Sequence, residues 1–233
     1  MRLIWGEETI RWFIDAGAYT GFHKALAKLI LPHLEPGDTL CDAGCGVGRL
    51  DLELAPFVTS ITAVDVSENA IDILRRDAET LGIGNLRTEN CDAETLEGTF
   101  DVVLLSFFGQ TDMKGFLKLC RRRLIRIADA GYSSGLYPAR HREHVKETVP
   151  VVAARLEAAG VGFRLETAEL EFGQPLRSMR DAEAYVLNNA SKAGTGEVSM
   201  FLEANLERTG RDDFPFYLPS KKEVGIFIID VQG

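Results

Sequence analysis

The chain reads as an α/β protein built on one mostly parallel, doubly wound β-sheet. Three observations predict this. From residue 39 onward, apolar runs of strand length alternate with stretches whose apolar residues recur at helical spacing, the pattern of strands joined by crossover helices. The first of those strands runs into a turn with glycines at 44, 46 and 48. The 233 residues, 45% apolar and 26% charged, suit one domain with a core large enough to need no staples.

The opening residues, EETIRWFIDAG and YTGFHKALAKLILPHL, read as two helices, with Phe22, Leu26, Leu29 and Ile30 on one face of the second. Pro32 and the turn EPGD at 35–38 close this unit, and residues 1–35 are expected to form a helical lid. TLCDAG is a short strand, and GRLDLELAPF begins a helix. SITAVDVS is the second strand, followed by the helix ENAIDILRRDAETLG with Ser67 as its cap. NLRTENC and FDVVLLSF are the third and fourth strands, separated by the acidic turn DAETLEG. MKGFLKLCRRR is expected as a helix ending in Arg121–Arg123, where three cations suit the negative end of the helix dipole. LIRIAD is the fifth strand.

HREHVKET reads as helical, and a fresh helix starts at Thr148 with Pro150 in its first turn and stops at Gly160. FRLETAELEF alternates as a strand, RDAEAYVLNNA and EVSMFLEANLERTG read as helices, and VGIFIIDVQ ends the chain as a strand. Residues 173–213 are expected to be a helical insertion covering the substrate site, within a single domain spanning 1–233.

Composition narrows the function. The formal net charge of -9 argues against a duplex-binding surface, which needs a basic stripe. Four cysteines (41, 45, 91 and 120) form neither a disulfide framework nor a zinc spacing, and suit small buried apolar residues in a reducing compartment. Glu7 and Glu8 interrupt what a signal peptide would need, and no apolar window reaches the length of a membrane span. A cytoplasmic protein without a metal is expected.

A strand, a glycine-rich turn and a helix place backbone and a helix N-terminus at a ligand. A P-loop would require Lys and Ser or Thr at 49 and 50, where Arg and Leu stand. A dinucleotide fingerprint would require its third glycine at 49. The acids downstream sharpen the choice. Asp65 ends the second strand, where a ribose can donate both hydroxyls to it, and Asp92 follows the third. One adenosine-like ligand could touch Gly44 to Gly48, Asp65 and Asp92 together.

With its motifs in this order, the sequence resembles the class I S-adenosylmethionine-dependent methyltransferases over residues 36–129. DAGCGVG matches the first motif, VDVS the second, CDAE the third and FDVVLLS the fourth. The resemblance implies a Rossmann-like, seven-stranded sheet whose last strand runs antiparallel, and S-adenosyl-L-methionine as cofactor. It also implies residue roles. Gly44, Cys45 and Gly46 would lie against the methionine part, with Asp42 ordering the turn. Asp65 would take the ribose hydroxyls, and Val66 would pack on the adenine. Asp92 would meet the adenine amino group and Ala93 N–H the ring, while Ser106, ending the fourth motif, completes the set.

Methyl transfer from a sulfonium needs an acceptor held in line and water excluded, and a base only where the acceptor must lose a proton. The acceptor expected is a small molecule. The fourth motif lacks the Asn/Asp-Pro-Pro-Tyr run of enzymes acting on base amino groups, and no Pro-Cys pair supplies a cytosine nucleophile. Phe107 and Phe108 suit either an apolar acceptor pocket or the core. After the fifth strand come Tyr132, Tyr137, Arg140, His141 and His144. His141 is the candidate base, because imidazole titrates near neutrality; a polar helix face is the alternative. Tyr137 and Tyr19 are further candidates, and His23 is expected at the surface. The competing functions are an RNA-modifying methyltransferase and a non-catalytic S-adenosylmethionine-binding protein, with a nicotinamide dehydrogenase last.

Overall fold

The computed structural model describes residues 6–109, 113–131, 136–141 and 147–231. Two helices come first, α1 (Glu7–Thr20) and α2 (Phe22–Ile30). Gly21, with φ 67°, makes the sharp turn between them, a conformation that favours glycine. The sheet follows with β1 (Thr39–Ala43), β2 (Ser60–Asp65), β3 (Leu86–Asn90), β4 (Phe100–Ser106) and β5 (Cys120–Asp129). Between these strands lie α3 (Arg49–Leu54), α4 (Glu68–Thr80) and α5 (Met113–Leu117). Next come α6 (Val149–Ala158) and β6 (Arg164–Glu171), then an appendage of β7 (Gln174–Leu176), α7 (Met179–Asn189), α8 (Thr195–Asn205), β8 (Glu207–Arg208) and β9 (Phe216–Leu218). β10 (Lys221–Asp230) returns to the sheet.

The seven strands lie in the order β3-β2-β1-β4-β5-β10-β6. β10 runs antiparallel between β5 and β6, as the sequence leads one to expect. The central strands are buried runs because a parallel sheet is covered on both faces. Alternate residues divide between two cores. Leu40, Leu104, Ile125 and Ile226 face α2, α3 and α4, meeting Leu26, Leu54 and Leu74. Cys41, Val103, Leu105 and Phe227 face α5 and α6, meeting Phe116 and Leu156. A third cluster joins Trp12 of α1 to Leu176, Tyr185, Val186 and Leu218 of the appendage.

One expectation is corrected. Arg121–Arg123 are strand residues of β5, because α5 ends at Leu117 and the chain from Cys120 pairs with β4 and β10. Each arginine meets a carboxylate: Arg121 with Asp101 at 2.9 Å, Arg122 with Asp38, and Arg123 with Asp230 at 2.5 Å. Strand pairing therefore overrides the helical reading, and the basic run is neutralised where it stands. Of HREHVKET, His141 closes a short 3-10 turn and Thr148 precedes α6, while 142–146 fall outside the described residues. The stretch between β6 and β10 holds the two expected helices and, in addition, the three-stranded sheet β7-β9-β8. Among the described residues no helix is long and apolar enough to cross a membrane.

Candidate cofactor and acceptor site

Strand order reverses between β1 and β4, and ligands of open α/β sheets bind beyond the strand tips at such a point. The glycine turn stands there. Gly44, Gly46 and Gly48 all have positive φ (80°, 56° and 62°). A side chain at Gly44 would strike the Phe108 ring, and one at Gly48 would strike Leu74. The first contact joins the glycine turn to the tip of β4.

The turn's amides face inward. Gly44 N–H and Cys45 N–H donate to the Val64 carbonyl at 2.7 and 3.0 Å. Gly46 N–H donates to one Asp65 oxygen at 2.9 Å, and Ser67 N–H to the other at 2.8 Å. Asp65 thus locks the turn onto β2. A carboxylate offers about four lone-pair sites, so two remain for a ribose. Ser67 caps α4 by accepting from Ala70 N–H, as its sequence position implies.

Beneath the turn lie two carboxyls, Asp42 of β1 and Asp51 of α3, 1% and 0% exposed. The two carboxyls face each other closely enough to share a hydrogen bond. Burial, and for Asp51 the charge of Asp42, push both well above the usual carboxylate range. Asp51 is the residue that sequence reasoning missed. An acid in the first turn of a helix ordinarily serves the dipole in solvent, and nothing local marks this one as buried.

This arrangement fits a cationic ligand and not a phosphate. Three amides of the turn are spent on β2, so no anion nest remains, while three carboxyls surround it. The remaining predicted cofactor residues follow along the strand tips. Val66 is exposed and Ser106 half-buried. Asp92 caps a 3-10 turn by accepting from Glu94 N–H at 3.1 Å, and Ala93 is buried behind it.

On the acceptor side, Phe107 has φ 49°, a left-handed conformation that costs a bulky residue about 1–3 kcal/mol. Its strain is held by Arg126, buried in β5, which donates to the Phe108 and Gly109 carbonyls and to Glu147 at 3.0 Å. Burial lowers Arg126 to about 10. Sequence reasoning passed over this arginine as an ordinary strand residue.

The candidate catalytic residues lie on α1 or against the appendage. His141 Nε2 is 2.8 Å from Glu197 of α8. Tyr137 packs on the appendage cluster, and Tyr19 stacks on Tyr217 with ring centroids 5.0 Å apart. Tyr132 and His144 lie outside the described residues. His23 is buried, contrary to expectation, because α2 turns it toward Phe13, Phe22 and Phe172. Burial first, then Arg49 and Lys222, lower its pKa to about 3, so it is a neutral imidazole.

Residues 40–126 match the family model described as a methyltransferase domain. Over 108 residues the chain is 32% identical to magnesium-protoporphyrin O-methyltransferase of Synechocystis, covering 44% of this chain and 47% of that one. Over 88 residues it is 35% identical to ubiquinone biosynthesis O-methyltransferase of Methylocella silvestris, covering 36% and 34% respectively. The chain thus spans less than half the length of these curated relatives. Among solved structures, a putative methyltransferase of Bacillus halodurans superposes with a TM-score of 0.57 at 15% identity, over 90% of this chain and 99% of that one. Magnesium protoporphyrin IX methyltransferase of Synechocystis, with S-adenosylhomocysteine bound, gives 0.53 at 16% identity, over 97% and 88%.

Residues 40–126, which carry the glycine turn and its acids on this sheet, are thus similar to a methyltransferase domain. These likenesses support reading the chain as a class I S-adenosylmethionine-dependent methyltransferase.

Proposed function

We propose that this chain transfers the methyl group of S-adenosyl-L-methionine to a small-molecule acceptor. The observation that carries the reading is the acidic, amide-depleted glycine turn at the switch point, suited to a ligand bearing an ammonium and a sulfonium. The cofactor supplies a methyl carbon already bonded to a good leaving group. Gly44, Cys45 and Gly46 hold the methionine part through close approach and carbonyls, Asp65 accepts the ribose hydroxyls, and Val66, Asp92 and Ala93 hold the adenine. Asp42 keeps the turn in place from below, and Ser106 and Phe107 bring the β4 tip to the methyl group.

A small acceptor is favoured because α1 and the appendage share one apolar cluster, so a single covering layer can exclude water from the site. The two O-methyltransferase relatives support the same class of acceptor. Residues 1–35 and 173–213 are accordingly the lid; Tyr19 belongs to it, and His141 and Tyr137 pack against it. An RNA acceptor is disfavoured by the neutralised Arg121–Arg123 run. Calorimetric titration with S-adenosylmethionine, S-adenosylhomocysteine and NADH tests the reading. Micromolar binding of both adenosyl compounds and none of NADH is expected. Absence of adenosyl binding overturns it, and binding without turnover on any acceptor favours a non-catalytic binder.

A further inference from the structure

At the carboxyl edge of the sheet stands a cation that the cofactor does not need. Lys222 opens β10, and because β10 runs antiparallel its first residues lie beside the end of β5, where Val224 pairs with Asp129. Its Nζ sits 3.6 Å from the ring centre of Phe107, 5.5 Å from that of Phe172 and 5.7 Å from that of Phe22. An Asp129 oxygen lies 3.4 Å away. The side chain is only 19% exposed.

Packing alone does not call for this lysine. An ammonium and a carboxylate at the rim of an apolar cluster carry a desolvation cost that a methionine or leucine would avoid. Its nearest ring belongs to Phe107, the described non-glycine residue in left-handed backbone, which directly follows Ser106. Phe108, next in the chain, rests on Gly44. His23 feels both Lys222 and Arg49, the residue that follows the glycine turn. These links put the ammonium on the same edge as the turn, three strands along, on the side away from the adenine residues Asp92 and Ala93.

We propose that Lys222 is the specificity-determining cation for the acceptor, which is a planar aromatic compound carrying an ionised oxygen (a carboxylate or an acidic hydroxyl). The inference rests on the methyltransferase reading. The partly buried Phe107 and Phe172 rings stand beside the ammonium for a flat molecule to rest against, Asp129 orients the ammonium, and the ammonium draws the acceptor's negative charge toward the β4 tip. An acceptor held this way arrives already deprotonated. Its oxygen lone pair forms the new bond to the methyl carbon as the carbon–sulfur bond breaks, and that electron pair stays on sulfur. The anion and the sulfonium cancel, and no proton has to be moved. This accounts for a site whose candidate bases all lie on α1 or against the appendage.

The test uses salicylate and its uncharged counterpart salicylamide, titrated into the full chain saturated with S-adenosylhomocysteine. The native chain is expected to hold salicylate at least tenfold more tightly than salicylamide. Lys222→Met should abolish that preference while leaving the affinity for S-adenosylhomocysteine unchanged, and Lys222→Arg should keep it. Lys222→Gln replaces Lys222→Met if the latter does not fold. Equal affinities in the native chain, or a preference that survives loss of the charge, overturn the inference. Failure of S-adenosylhomocysteine to bind the native chain would instead sink the methyltransferase reading.

Discussion

The Asp42 and Asp51 carboxyls set the character of the glycine turn from beneath. Two buried carboxylates side by side cannot both ionise cheaply, so the pair retains a proton between them. Their folded pKa values lie above the unfolded ones, so the stability linked to that proton is complete below about pH 4 and is lost as pH rises through the folded values. Asp51→Asn, which keeps the shape and removes one acid, should flatten this dependence. Between pH 6 and 9 the native melting temperature should fall while that of the variant stays level, the variant gaining on the order of 1 kcal/mol at the alkaline end. Calorimetric melting at several pH values checks it; parallel slopes in the two proteins would mean that no proton is shared.

Between elements, Asp181 is the clasp. As the third residue of α7 it accepts from Arg11 at 2.5 Å, from Trp12 Nε1 at 3.0 Å and from Arg177 N–H at 2.9 Å, while Ser178 caps its own amide. Asp15 of α1 answers with an ion pair to Arg177 at 2.8 Å. Burial would raise Asp181, but these donors outweigh it and hold the carboxyl below its ordinary range. The clasp is therefore complete above about pH 4 and loosens only as pH falls through that lowered value. Asp181→Ala leaves Arg11 and Trp12 without their shared acceptor, a loss of about 2–3 kcal/mol. Hydrogen exchange should quicken in Glu7–Thr20 and Met179–Asn189 and stay unchanged in β1, β4 and β5. Faster exchange spread evenly across the sheet would show that the covering layer and the sheet open as one unit.

For the whole molecule, the decisive arrangement is a sheet between two cores and, beside it, α1 and the appendage with a core of their own. A ligand that binds the folded chain and not the unfolded one stabilises it by mass action. S-adenosylhomocysteine at a hundred times its dissociation constant should add about 2.7 kcal/mol, which for a chain of this size is a rise in melting temperature of about 5–10 °C. Thermal unfolding followed by circular dichroism, with NADH as control, measures it. A rise with NADH and none with the adenosyl compound would reverse the choice of cofactor.

Much of this was legible in the sequence, because its signals are local. Alternating apolar runs give strands, Ser67 caps α4, Pro150 opens α6, and the order of Gly44, Asp65 and Asp92 along successive strand ends points to one ligand. Only the tertiary structure decided the rest. Arg121–Arg123 lie in a strand because β4 and β10 flank them. His23 is buried because three phenylalanines from separate segments close over it. Asp51 became half of a buried pair because α3 packs on β1, and Lys222 meets Phe107 because β10 returns antiparallel across the sheet. Each depends on contacts between different elements, and burial and charge pairing across elements leave no periodicity for a chain to display.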